Sequence, residues 1–217
     1  MITQSLRSAS APAGSPGWIG RKVRLRAITA ADQRTLAGFD RDSASGRAPQ
    51  IGGYRHWAAH RASTGDDFQL AIETLRGRML VGSVWIAETD PLSGRFGYGV
   101  GIAPRHRRCG YAADAIAVVL AAMFGERGFR KCEVSVYGGN LASLALHGSL
   151  GFREEGRRPD PELLRGQVKY PVTMGITARE FAARHPDFVG DGPLSLSTRG
   201  RHWRRRRGRH RRAADLG

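Results

Sequence analysis

Between Arg95 and Gly156 the apolar residues switch repeatedly from a period of two to a helical period, and that switching limits what the chain can fold into. Arg95 to Ile102 reads as a strand. Tyr111 to Arg127 sets Ala112, Ile116, Leu120 and Met123 or Phe124 at helical spacing, with Gly128 as a stop. Lys131 to Tyr137 alternates Cys132, Val134 and Val136 against Glu133, Ser135 and Tyr137, after which Asn140 caps a helix that Gly151 ends. Strand, loop, helix, strand, helix is the order of an α/β chain with a mixed sheet flanked by helices.

The flanking segments extend that sheet. Val23, Leu25 and Ala27 alternate within a strand from Lys22 to Ile28, and Thr29 with Asp32 opens a short helical stretch as a capping pair. Gly46, Pro49, Gly52 and Gly53 interrupt residues 41–66, where Tyr54 to Arg61 fits a short helix. Phe68 to Thr74 and Met79 to Thr89 are β-rich runs joined by a hairpin turn at Arg76-Gly77. Phe152 to Gly156 and Val168 to Ile176 close the sheet, and Pro171 argues that the second of these is an edge strand or carries a bulge. Residues 1–17, rich in Ser, Ala, Pro and Gly, and residues 183–217, ending in a run of arginines, lack an apolar face; both are expected to be disordered around one domain at 18–182.

Composition narrows the function classes. In 217 residues, 41% apolar content suffices for one core, and no apolar run approaches the roughly 20 residues of a membrane span or forms a secretory signal. A cytoplasmic protein is expected. Cys109 and Cys132 have no metal-ligand spacing and read as free thiols, so neither a disulfide framework nor a metal site is indicated. About half of the formal charge of +16 sits in residues 199–217, which hold nine Arg and one Asp. Arg199 to Arg212 with Trp203 has the composition of an RNA- or ribosome-contacting segment, against the plainer reading of a tail shaped by biased coding.

The chemistry is expected where the strand ending at Ile102 meets the long helix. Arg105-His106-Arg107-Arg108-Cys109-Gly110-Tyr111-Ala112 would wrap a helix start, where free N–H groups and the positive end of the macrodipole attract a pyrophosphate; Gly110 permits close backbone approach. Downstream, Asn140 and Ser143 lie three residues apart at the start of the next helix and offer polar groups to an amide-bearing arm. Taken singly, the loop reads equally as a solvated turn and Asn140 as an ordinary cap.

Arg107, Gly110 and Ala112, with Asn140, Ser143 and the run Leu150-Gly151-Phe152 through Gly156, resemble the signature blocks of the GNAT superfamily of N-acetyltransferases, in the family's order. VGSVWI at 81–86, FGYGVGIAP at 96–104 and VKYPVTMGITAREF at 168–181 are similar to the ribosomal-protein N-terminal acetyltransferase-like branch. The resemblance implies a GNAT-like fold with a central twisted sheet. It further implies that Ile102, Arg107, Arg108, Cys109, Gly110, Tyr111, Ala112, Asn140 and Ser143 bind acetyl-CoA, and that the acetyl group passes directly to a primary amine on a protein N-terminus or small molecule. A backbone N–H of the Val100 to Ile102 strand would polarise the thioester carbonyl.

Three positions depart from the family pattern. Arg108 stands where Gly is common. His147 stands where the family places a Tyr acid, and an imidazolium could protonate the departing thiolate. Arg95 and Phe96 stand where relatives carry Glu, which leaves Glu88, with Glu73 as the other carboxylate, to serve as the base. These departures keep open an acyl-CoA-binding protein without turnover, and the arginine-rich tail keeps open an RNA-binding protein on an old enzyme fold; amine identity and oligomeric state are not encoded in any motif.

Overall fold

Seven strands join in one sheet in the order β1-β2-β3-β4-β5-β9-β6: β1 Val23–Ala27, β2 Gln69–Thr74, β3 Leu80–Asp90, β4 Arg95–Ile102, β5 Lys131–Tyr137, β6 Arg153–Arg157 and β9 Pro171–Thr177. β7 Glu162–Leu164 and β8 Gln167–Lys169 pair separately as a small hairpin. The helices are α1 Ala30–Ser45, α2 Tyr111–Ala121, α3 Leu141–Leu150 and α4 Ala178–Arg184. The computed structural model describes residues 18–45, 69–90, 92–157, 162–164 and 167–188. The segments 1–17 and 46–68 and the arginine run from Arg199 lie outside the described residues.

All strand pairs in the large sheet are antiparallel except β4 with β5. Directly paired residues share a face, so the registers Leu25↔Ile72, Leu70↔Val84 and Ile86↔Tyr98 gather one apolar layer. Helix α2 covers that layer and is buried without a break from Ala115 to Leu120. The other face is smaller, with Leu36 and Phe39 of α1 closing over Ala103 and Leu80. No helix among the described residues is long and apolar enough to cross a membrane.

Alternation in β1 sends Arg24 and Arg26 to the face opposite Val23 and Leu25. Glu73, 4% exposed, accepts from Arg24 Nε at 2.9 Å and also pairs with Arg26 and Arg78. Arg26 in turn donates to both oxygens of Asp32 at 2.6 and 3.0 Å. Asp32 accepts from the Thr29 N–H at 2.8 Å while Thr29 Oγ1 accepts from the Asp32 N–H at 3.3 Å, so the expected capping pair forms. It starts a helix of 16 residues, longer than the short stretch read from the sequence. The Arg26 hydrogen bond, against the effect of burial, holds the Asp32 carboxyl well below the usual carboxylate range. Burial raises Glu73, but Arg26 and Arg24 outweigh it and the net direction is down.

Several boundaries differ from the sequence reading. Pro171 marks neither an edge nor a bulge: it is the first residue of β9, where a missing N–H is tolerated, and β9 lies between β5 and β6. The run read as one strand from Val168 is split there into β8 and β9. Long helical periodicity from Tyr111 holds to Ala121 and continues as a π turn over Ala122–Glu126. Packed structure also extends past 182, because Phe188 packs tilted against Phe181 and edge-on to His185, and Arg21 pairs with Asp187.

Glu73→Gln should lower stability by about 2 kcal/mol, less than a fully buried pair would lose because the arginines stay partly hydrated. Depressed carboxyl pKa values stabilise the fold above the unfolded pKa of about 4, and that contribution fades as pH falls toward the folded values. Urea midpoints should therefore differ between wild type and variant at pH 7 and converge below about pH 4. A gap that persists unchanged in acid would contradict the ion-pair account.

Candidate active site

β4 and β5 pair only at Arg95↔Lys131 and Phe96↔Cys132. Beyond that point each follows another partner: β4 stays on β3 to Ile102, and β5 stays on β9 to Tyr137. Phe96 packs against Phe124 and Phe129 at the closed end, with centroids 5.6 and 5.4 Å away. The sheet is thus split into a wedge. Its open end lies toward the C-terminal ends of two parallel strands, and a helix starts just after each.

Backbone polarity inside the wedge follows from one bond. Ala103 N–H donates to Val81 O at 2.9 Å, so in the antiparallel alternation Gly101 and Gly99 also turn their polar groups to β3. Tyr98, Val100 and Ile102 turn theirs into the wedge. Arg107 Nε reaches back to Ile102 O at 3.2 Å, and the Val100 peptide lies at the centre of that wedge-facing edge, beyond the last residue of β4 that pairs with β5.

The loop from Pro104 to Gly110 closes the open end. Helix α2 begins at Gly110, φ 80°, without a side-chain cap, so its first N–H groups have no side chain of their own capping residue to satisfy them. Arg108 is itself left-handed at φ 63°, a conformation that costs an L-residue roughly 1–2 kcal/mol and that Gly adopts freely. That is the physical reason a glycine suits position 108. Arg105, Arg107, Arg108, Cys109 and Gly110 are all exposed. Cys109 is a free thiol whose Sγ lies 3.4 Å from Arg107 O, and Tyr111 and Ala112 form the first turn of α2.

Across the wedge, Asn140 Oδ1 accepts from the Ser143 N–H at 3.1 Å and caps α3. Its carbonyl is consumed there, which leaves the amide N–H groups as donors. Ser143 O accepts from His147 Nδ1 at 2.8 Å. Nδ1 therefore carries the proton, and Nε2 is a bare acceptor. Nε2 is buried and unpartnered, as is the hydroxyl of Tyr98, whose ring stacks on His147 at 5.9 Å and 23°. Burial lowers the His147 pKa, against a smaller opposing effect of the Ser143 bond. With Nδ1 bonded to the Ser143 carbonyl, Nε2 is the nitrogen through which the side chain expected to act as the acid would meet a ligand.

The acidic candidates also sort differently. Glu73 is locked among three arginines on the α1 face and is not a free base. Arg95 pairs with Glu133 at 3.4 Å at the closed end. Glu88 lies in β3 beside an irregularity between Ala87 and Asp90, and its side chain lies outside the described residues. Sequence reading missed Tyr98. The signal was the alternation of β4, which puts Tyr98 on the same face as Phe96, next to the helix that carries His147.

Comparison with known proteins places this geometry. A family model described as an acetyltransferase (GNAT) domain matches residues 22–153, more than half of the chain. Over 174 residues the chain is 29% identical to an SPbeta prophage-derived uncharacterized N-acetyltransferase of Bacillus subtilis (strain 168), covering 77% of this chain and 97% of the relative. The fold is similar to a chimera of the spermidine N-acetyltransferase from Vibrio cholerae and hSSAT, with TM-score 0.61, 21% identity and coverage of 75% and 99%. It is also similar to a proposed ribosomal-protein-serine acetyltransferase from Vibrio cholerae, with TM-score 0.57, 21% identity and coverage of 74% and 97%.

Arg108→Gly removes a charge and a strained conformation together. Thermal stability of the free protein should hold or rise, while CoA affinity, measured by calorimetry, should fall about fivefold from the lost charge. Gly110→Val, forced into φ 80°, should lose both. Unchanged CoA affinity in Arg108→Gly would remove that side chain from the binding loop.

Proposed function

The chain belongs to the acetyltransferase (GNAT) family and is a GNAT-type N-acetyltransferase, and we propose that it carries the acetyl group of acetyl-CoA directly to a primary amine. The observation that carries this reading is the wedge between β4 and β5 with an uncapped, arginine-rich helix start at its open end. Such a site suits a long ligand with an anionic head and an amide-bearing arm.

In this reading Arg107, Arg108 and the N–H groups from Cys109 to Ala112 hold the pyrophosphate. The wedge-facing Val100 and Ile102 N–H groups, with the Asn140 amide and Ser143, serve the amides of the arm. Acetyl-CoA supplies an activated thioester. The chain's part is to align it along β4, to exclude water with the apolar face of Phe96 and Tyr98, and to polarise the carbonyl with a wedge-facing N–H. Glu88, on the strand beside the closed end, is the carboxylate assigned to the amine's proton.

The motif blocks at 81–86, 96–104 and 168–181, together with the fold shared with a proposed ribosomal-protein-serine acetyltransferase, support an acceptor amine on a protein N-terminus. The polyamine acetyltransferase among the similar folds supports a small amine equally well, so both belong in one panel. Acetyl-CoA at a hundred times its Kd should add about 2.7 kcal/mol of stability. Thiol release over a panel of N-terminal peptides and polyamines should then identify the acceptor. Protection without turnover on any amine would leave a binding protein, and no protection at all would end the proposal.

A further inference from the structure

Tyr98 is 7% exposed, and it sits on β4 two residues past the last residue that pairs with β5. Its hydroxyl and His147 Nε2 are the buried side-chain polar atoms without a partner among the described residues. Two such atoms, on rings stacked 5.9 Å apart, cost stability in the free protein, since each was hydrogen-bonded to water in the unfolded chain. Their complementarity is informative. Nε2 can only accept, because Nδ1 holds the proton against Ser143 O, whereas a phenol can donate.

The position along β4 also matters. Four residues separate Ile102, at the phosphate loop, from Tyr98, or roughly 13 Å at ~3.3 Å per residue. A ligand anchored at the loop and running inward along β4 brings its far end to Tyr98 near the apex of the wedge. For acetyl-CoA that far end is the thioester. Phe152 flanks both rings edge-on, at 6.3 Å from Tyr98 and 5.1 Å from His147, and makes their surroundings apolar.

We propose that Tyr98 is the proton donor to the departing CoA sulfur, in place of the side chain at position 147, and that His147 is a positioning residue whose stacked ring fixes the phenol. This inference rests on the acetyl-CoA reading above. When the amine nitrogen bonds to the acetyl carbon and the C–S bond breaks, the sulfur takes the phenolic proton and leaves as the thiol. The nitrogen releases one proton, and Tyr98 regains one from solvent as CoA departs, so no other reactant is needed. The groups facing Tyr98 are His147 from α3 and the Cys132 thiol from β5; burial first, and Cys132 second, push the phenol above its ordinary range, which keeps it protonated and able to donate.

Tyr98→Phe keeps the ring and the stacking and deletes only the hydroxyl. The free variant should melt at or above the wild-type temperature, because a buried unpaired hydroxyl is gone. Bound CoA reports on the site without an acceptor: the pH at which its thiol ionises, followed by thiolate absorbance, should rise by about one unit in Tyr98→Phe, a tenfold weaker stabilisation of the thiolate. With the best amine, kcat should fall roughly a hundredfold at a nearly constant KM for acetyl-CoA. A Tyr98→Phe enzyme with wild-type thiol titration and kcat would overturn the assignment, as would a shift seen in His147→Phe but not in Tyr98→Phe. If wild type binds no CoA, the acetyl-CoA reading falls and this inference with it; binding without a Tyr98 effect sinks the inference alone.

Discussion

The parting of β4 from β5 after Phe96 is the constraint on which the site depends. A parallel pair needs a long crossover between its strands, and α2 with its π turn provides it. The crossover obliges both strands to end on the same side, so the starts of α2 and α3 face the same opening. Pairing over only two residues then converts a strand boundary into a cleft, because the halves of the sheet follow their own antiparallel partners. The Phe96, Phe124 and Phe129 cluster fixes where the split begins. Backbone groups that a continuous sheet would consume are left for a ligand.

Costs gather at that split. Arg108 is held left-handed, α2 starts without a side-chain cap, and two buried polar atoms of Tyr98 and His147 lack partners. None of these helps the free protein fold. Elsewhere the polar groups are well served: Glu73 and Asp32 share a continuous chain of arginine bonds, and Thr177 with Glu180 completes a capping box at α4. A second left-handed arginine, Arg78, lies in the β2–β3 turn, so among the described residues what marks the cleft is the set gathered there: a strained loop residue, a helix start without a side-chain cap and buried polar atoms without partners.

The sequence revealed the parts of this site whose cues are local. Alternation located β4 and β5 to the residue, Asn140 and Gly151 bracketed α3, and the Thr29/Asp32 pair marked the start of α1. Pairing was less legible. Pro171 carried a correct local message, a missing donor, but not whether a neighbouring strand would need it; as first residue of β9 it is spared that demand between β5 and β6. The ionisation of His147 was also hidden, because the residue type allows either state and only the packing of Tyr98 and Phe152, with the Ser143 carbonyl, selects the neutral one. Tyr98 escaped notice since an aromatic residue on an apolar strand face carries no signal until its hydroxyl is seen to lack a partner.

Asp114 poses a problem that the fold resolves through β1. A carboxylate in the first turn stabilises α2 in isolation, yet beside a loop proposed to hold a pyrophosphate it would repel the anion. Here its oxygens accept the backbone N–H groups of Arg21, Lys22 and Val23 at 3.0, 2.7 and 2.9 Å. A side chain on Gly20 would collide with that carboxylate, so the approach favours a glycine. The same turn brings Lys22 Nζ to 2.8 Å from Cys109 O, placing an ammonium against the loop as the carboxylate is drawn away. The start of β1 thus draws a negative charge away from the loop before α2 and sets a positive one against it, and it ties the first strand of the sheet to the start of that helix.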